Sequence, residues 1–478
     1  MNIESVKQRV VELFLQISDI PRPPYHEQKI ADFICDFAKE HGCEVYRDDA
    51  HNVLVNVAAT KGCEGRAPIL LQGHTDMVCE KNEGTVHDFL AEGIKVFEKD
   101  GWLCADGTTL GADNGVAVAI MLYVIEGGIK EHGEVQCLFT SAEEVGLDGV
   151  KKFDFNLIKA KRMINMDGEN ENCVIVGCAG GLRSDVSLVP VYTELSGQLV
   201  KIKISGLRGG HSGENIASGR ANANVLMGRL LSEIYFKLGL SIVSVVGGTK
   251  ENAIPREAVA HIVVKDADKA KDIVALFEGE ISKELSLDDA GFNVTCELAR
   301  ECPSRMMDDN STKKIITILS CSRNGIIEMS KKLTHLVEYS RNLGVVLTSD
   351  DKVSFVFNSR SAIDYQLDAA ERELSMIADI CSAKVNHYSR YPGWSYSGSS
   401  ALADEYIDVC KELYNRHVEK DMIHAGLECG IIKANVPGLD CISCGPIMKN
   451  LHSPEEALHI ESFGKYAYAV CTLIEKAK

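Results

Sequence analysis

Three apolar runs of this 478-residue chain end in side chains that can bind metal ions or move protons. Ile69-Leu70-Leu71 runs into Gln72-Gly73-His74-Thr75-Asp76, Val135 to Phe139 into Thr140-Ser141-Ala142-Glu143-Glu144, and Met163 to Met166 into Asp167. Asp113 opens a helical pattern just after the glycine-rich turn Gly107 to Gly111. One imidazole with several carboxylates suits a divalent ion such as zinc, manganese or cobalt, and does not suit a thiolate cage. Taken singly, each residue has a plainer reading: a surface turn for His74-Thr75-Asp76, a helix cap for Asp113, a solvated acidic turn for Glu143-Glu144. Their coincidence is harder to dismiss, because carboxylates gathered on one rim repel each other unless a cation neutralises them. A second imidazole, His452, follows late in Asn450-Leu451-His452-Ser453-Pro454-Glu455. Two ions sharing one carboxylate need about five protein ligands. His74, Asp113, Glu144, Asp167 and His452 supply that number without fixing who does what.

The elements that must position these residues change in texture along the chain. Through about residue 182, helical periodicity alternates with short, nearly all-apolar runs, the pattern of a mostly parallel sheet covered on both faces. Residues 5 to 17 and 27 to 40 read as helices separated by Pro21, Pro23 and Pro24, and Asn114 to Glu126 as a helix closed by Gly127-Gly128. Ligands of open α/β sheets bind at the carboxyl ends of the strands, where the candidate residues fall. From residue 184 to 394 strands alternate cleanly, as in Val200, Ile202 and Ile204 or Val353, Phe355 and Phe357, with helices at roughly 218 to 237 and 367 to 382. After Trp394 come a Ser/Gly stretch, a helix at Ala401 to Tyr414 and a final helix near 461 to 476. The expected fold is an α/β, mostly parallel-sheet catalytic domain built from residues 1–183 and 395–478. It is interrupted by an inserted, two-lobed α+β lid at 184–394.

Composition narrows the function classes. Lys and Arg number 51 against 69 Asp and Glu, a formal charge of -18, which excludes a generic nucleic-acid binder. Hydrophobic residues at 45% and charged residues at 25% are those of a globular protein. No apolar run reaches membrane-helix length, and Glu4, Lys7, Arg9 and Glu12 interrupt the N-terminus where a signal peptide is apolar, so a cytoplasmic protein without membrane partners is expected. The 17 cysteines are odd in number and often sit in apolar runs, which favours reduced thiols; Cys441 and Cys444 form a lone C-x-x-C that reads as core packing. Nucleotide-binding glycine motifs are absent.

Several segments closely resemble the aminoacyl-histidine (Xaa-His) dipeptidases, relatives of carnosinase among two-zinc exopeptidases. They are Leu71 to Asn82 with His87-Asp88-Phe89, Ala105 to Gly115, Ala142 to Gly146, Asn165-Met166-Asp167, Gly206 to Gly213, His424 to Gly430 and Leu451 to Pro454, in order over nearly the whole chain. Cys79 to Asn82 and His424 to Gly430 point most narrowly to that family, whereas Tyr25 departs from the small polar residue expected there. The resemblance implies a cytosolic metallo-dipeptidase acting on Xaa-His and other dipeptides. It implies two divalent ions, zinc first with manganese or cobalt as alternatives, bridged by Asp113. His74 and Asp167 belong to one ion, Glu144 and His452 to the other. Glu143 becomes the general base of a bridging hydroxide, and Asp76 orients His74. From the lid, His211 matches an oxyanion donor, Arg360 a clamp for the substrate carboxylate, and Asn252 a further substrate contact. A homodimer is also implied. The competing readings are a tripeptidase or N-acyl amino acid deacylase of the same clan, or a non-catalytic peptide-binding relative.

Overall fold

Runs such as Ile69 to Leu71, with no polar alternation, bury both faces of a strand, which places them in the middle of a sheet covered by helices. In the computed structural model, which describes residues 2–299 and 305–477, this is their position. The chain divides into two compact units. The first comprises Met1–Cys178, Trp394–Met422 and Leu427–Lys478, and the second Ala179–Gly393 with Ile423–Gly426.

The first unit is built on an eight-stranded sheet in the order Glu44–Arg47, Val53–Val57, Val135–Thr140, Ile69–His74, Arg162–Asn165, Asp440–Ser443, Cys173–Cys178, Glu419–Ile423. Its four central strands, Val135–Thr140 to Asp440–Ser443, pair in parallel. Glu44–Arg47, Val53–Val57 and Cys173–Cys178 join antiparallel. Parallel pairing is therefore narrower than the apolar texture suggests. Val53–Val57 is almost wholly buried and still antiparallel, because burial by covering layers makes a strand apolar whatever its direction. Since the central strands run the same way, His74, Thr140 and Asn165 reach one sheet edge together.

The helix Ala112–Ile125 is buried along nearly its whole length and contacts the Ile69–His74 strand and the helices Ile3–Ser18 and Ile460–Lys476. Phe14 meets Phe463 edge-on, with ring centroids 6.3 Å apart, and ties those two outer helices together. Gly127, at φ +87°, donates to Val124 O and ends the central helix. Gly73 lets this helix approach the strand that bears His74: a Cβ there would lie 2.3 Å from the Ala117 Cβ.

The second unit contains a nine-stranded sheet with antiparallel pairing. Asn293–Leu298, Gln198–Ser205, Ala258–Val264 and Ser241–Gly247 form one half, Val337–Thr348, Val353–Ser361, Gly180–Leu188 and Lys384–Tyr391 the other, and the ninth strand, Gly325–Met329, pairs with Val337–Thr348. The halves join where Val246 and Gly247 face Leu347 and Val346. Val200, Ile202 and Ile204 point into the core while Lys201 is exposed, as their alternation predicts. The helix expected from 218 begins at Ala223, because Asn222 accepts the Asn224 and Val225 N–H groups and caps it there. The strand at Val353 extends to Ser361 and includes Arg360. The alternation is lost because residues 357 to 361 are all buried.

Among the described residues no helix is long and apolar enough to cross a membrane. The described cysteines, Cys441 and Cys444 included, are free thiols; Cys302 lies outside the described residues.

Gly73→Ala is expected to destabilise the protein by about 1–3 kcal/mol through overpacking. Adding Ala117→Gly should recover part of that loss, less the roughly 1 kcal/mol that glycine costs a helix interior. Urea unfolding of the single and double variants measures both.

Candidate active site

His74 ends its strand with a side chain only 1% exposed; its Nε2 lies 3.1 Å from Asp113 Oδ1 and 3.6 Å from Asp167 Oδ1. His452 Nε2 lies 3.3 Å from Asp113 Oδ2 and 3.4 Å from Glu144 Oε1. Each oxygen of Asp113 thus faces a different imidazole. Candidate donor atoms fall within 4.8 Å of one another in three groups: His74, Asp113 and Asp167; Asp113, Glu144 and His452; and His74, Glu143 and Glu144. Asp113 stands at the start of the Ala112–Ile125 helix in a non-helical conformation, φ -81° and ψ 109°, followed by a cis peptide bond to Asn114. Asn114 Nδ2 donates to Asp167 Oδ1 at 2.8 Å.

The turn bearing Glu143 and Glu144 is held by two other carboxylates. Glu27 accepts the Ala142 N–H at 2.8 Å, and Asp76 accepts those of Glu143 and Glu144 at 3.0 and 3.1 Å. Ala142 adopts φ +47°, a left-handed conformation unusual for alanine, and this pinning maintains it. The Asp76 carboxylate lies 3.5 Å from His74 Nδ1, whereas Nδ1 donates its hydrogen bond to the Asp76 main-chain oxygen at 3.0 Å.

Charge is tightly balanced here. Burial pushes Asp167 up to about 6 against the pull of its hydrogen bond with His74. Burial also lifts Glu143 well above the usual carboxylate range; the His74 charge opposes this, and Asp167 and Glu144 add to it. Burial would raise Asp113 as well, but hydrogen bonds with His452 and His74 hold it below its ordinary value. For His74 burial disfavours the charged form, and Asp113, Asp167 and Asp76 outweigh it. The hydrogen bond with Asp113 and the close contact with the Glu144 carboxylate raise His452 to about 11. Protons on imidazoles thus supply positive charge where cations would sit. Glu144 Oε1 is buried and, among the described residues, makes no hydrogen bond, facing His452 Nε2 as an ion-pair contact at 3.4 Å. An orphaned carboxylate oxygen among carboxylate and imidazole donors fits divalent ions of the zinc, manganese and cobalt type.

In the second unit, Arg360 is 7% exposed; its Nη1 donates to the Tyr391 hydroxyl at 3.3 Å and its Nη2 lies 3.5 Å from His211 Nε2. Its Nε is buried and finds no hydrogen-bond partner among the described residues. Such a guanidinium is disposed to receive an anion. Burial, then the Arg360 charge, push His424 down to about 3, so that it stays neutral while sharing a 2.7 Å hydrogen bond with Ser340 Oγ. Asn252 contributes its main-chain oxygen, which accepts the Ser212 N–H at 2.8 Å beside His211. Tyr25, which departs from the resembling family, donates its hydroxyl to Asp148 at 3.0 Å.

Residues 70–476 match the family described as Peptidase family M20/M25/M40. The chain belongs to peptidase family M20/M25/M40. It is 36% identical over 474 residues to the cytosol non-specific dipeptidase of Escherichia coli (strain K12), covering 98% of this chain and 97% of that one. The aminoacylhistidine dipeptidase structure from Vibrio alginolyticus superposes with a TM-score of 0.91 at 32% identity, covering 98% of this chain and 96% of that one. The aminopeptidase PepT structure from Bacillus cereus, at 17% identity and a TM-score of 0.59 over 98% of each chain, shares the fold.

In this M20/M25/M40 peptidase, sequence reasoning gave no role to Glu27, Glu428, Glu456, Tyr391 or His424. Glu428 is fully buried and accepts hydrogen bonds from Gln72 Nε2 and Thr140 Oγ1 at 2.5 and 2.6 Å. The one available signal was its place in the His424 to Gly430 stretch.

Burial lifts Glu428 from 4.5 to about 8. The folded state then keeps a proton that the unfolded state has lost. This contribution is full below pH 4.5 and drains away as pH rises through about 8. Between those values the urea midpoint of the metal-free protein should fall less for Glu428→Gln than for wild type; parallel curves would exclude a protonated Glu428.

Proposed function

We propose that this chain is a cytoplasmic dipeptidase that hydrolyses Xaa-His and other dipeptides with two divalent ions, zinc first, with manganese and cobalt as chemical equivalents. The observation that carries this reading is Asp113, whose two carboxylate oxygens face His74 and His452 separately. In the reading, His74 and Asp167 hold one ion, Glu144 and His452 the other, and Asp113 both. The similarity to two dipeptidases over nearly the whole chain supports the substrate class.

Two bound ions supply Lewis acidity, which polarises a peptide carbonyl and lowers the pKa of water. Glu143 lies beside a ligand but holds no ion itself. It takes the proton of the attacking water and returns it to the leaving amine. Asp76 and Glu27 keep the Glu143 backbone in place while this proton moves. Arg360 receives the terminal carboxylate of the dipeptide in its planar fork, held by Tyr391. His211 donates to the developing oxyanion, and Asn252 contacts substrate. The catalytic domain is discontinuous, the inserted domain supplies the substrate contacts, and the working form is a homodimer.

Metal-stripped protein reloaded with zinc or manganese is expected to cleave Xaa-His dipeptides while leaving tripeptides and N-acetyl amino acids intact. Glu143→Gln should lower kcat at least about 100-fold, and Arg360→Ala should lose dipeptide turnover, both with two ions per chain by elemental analysis. Cleavage confined to tripeptides or N-acetyl substrates would transfer the site to those reactions; no cleavage at all would overturn the enzymatic reading.

A further inference from the structure

Glu456 lies four residues beyond His452 and is 3% exposed. Its Oε2 accepts the N–H groups of Leu110 and Gly111 at 2.8 and 3.0 Å, and its Oε1 those of Ala112 and Asp113 at 2.8 and 3.2 Å. One carboxylate therefore takes four consecutive backbone donors at the start of the Ala112–Ile125 helix, where such groups lack partners and negative charge is favoured. The last donor belongs to Asp113, whose own carboxylate faces His452.

The His452 loop is fastened to this clamp. The Glu456 N–H donates to Ser453 O at 3.0 Å, and Asn450 Nδ2 donates to Glu455 O at 3.2 Å, so the loop closes on itself around His452. This matters because the His452 side chain is 52% exposed and its backbone sits at φ +60°. Little packing fixes its place.

A second tether acts from the other side. Arg22, 2% exposed, donates to Thr75 O at 3.1 Å and to Gly111 O at 2.6 Å, and so ties the segment after His74 to the same turn. Gly111, at φ +71°, has no room for a side chain here: a Cβ would lie 2.5 Å from Arg22 Nη2.

We propose that Glu456 is a positioning residue that sets the spacing between Asp113 and His452, and so governs the affinity of the ion those two share with Glu144. The inference rests on the two-ion reading above. A carboxylate is required because glutamine has one acceptor oxygen, and its NH₂ would confront two buried N–H donors. Aspartate keeps the charge but is one methylene shorter and does not span all four donors.

The test is zinc titration of the metal-free wild type, Glu456→Gln and Glu456→Asp against a chromophoric chelator, with thermal unfolding of the metal-free proteins alongside. The wild type is expected to take up two ions. Each folded variant should hold one ion at near wild-type affinity and the other at least about tenfold more weakly, as loss of a ligand-orienting contact does. kcat should return at excess zinc with KM unchanged. If Glu456→Gln does not fold, the aspartate variant gives the same reading. Two ions at wild-type affinity, or equal weakening of both with a lowered melting temperature, would overturn the proposal. A wild type that fails to bind two ions removes the metal reading itself, a separate result.

Discussion

The structure of the first unit depends on a single electrostatic constraint. Asp113, Glu143, Glu144 and Asp167 gather at one buried sheet edge, and like charges in such a place are tolerated only where positive charge answers them. His74 and His452 are the imidazoles within reach. The raised His452 reflects the carboxylates beside it, the depressed Asp113 the two imidazoles that answer it, and the lifted Glu143 chiefly its burial. Divalent ions would add to the positive charge that the imidazoles supply.

The surrounding architecture separates carboxylates into two kinds. Asp76, Glu27 and Glu456 spend their oxygens on backbone N–H groups of the ligand-bearing turns. Asp113, Glu144 and Asp167 keep oxygens directed at the imidazoles. The first kind fixes the second, and backbone dipoles stabilise the extra charge without adding a competing cation near the site. Strand direction does the remainder, since parallel pairing brings three strand ends to one edge.

In the second unit the logic is reversed. Arg360 is a buried cation whose neighbours, the Tyr391 hydroxyl and the imidazoles of His211 and His424, offer no compensating negative charge. Burial first, and then the Arg360 charge, keep His424 neutral, because protonation would put a second buried cation beside the first. Each unit thus holds one cluster incomplete in charge, carboxylate-rich around Asp113 and cationic around Arg360. Divalent cations suit the first environment and an anion the second.

The ligand-bearing segments are legible in the sequence because an apolar run that stops at a histidine or acid marks a strand end, and strand ends are where α/β sheets bind. The helices at Ala401–Tyr414 and Ile460–Lys476 are legible for a similar reason, with periodicity and flanking breakers agreeing. The extent of parallel pairing is not, since burial makes Val53–Val57 as apolar as its parallel neighbours. Nor is the division of labour among acids. Glu456 and Glu428 read as ordinary polar residues, because what distinguishes a clamp or a protonated carboxyl from a surface acid is which distant N–H or hydroxyl it meets. The sequence by itself determined the chemistry available, one-dimensional patterns of apolar burial ending in imidazole and carboxylate. Only the tertiary structure decided which carboxylates keep free oxygens and which are consumed by the backbone. Hydrogen-bond saturation depends on contacts between Glu456 and Leu110, Gly111, Ala112 and Asp113, or between Asp76 and Glu143, that no local spacing encodes.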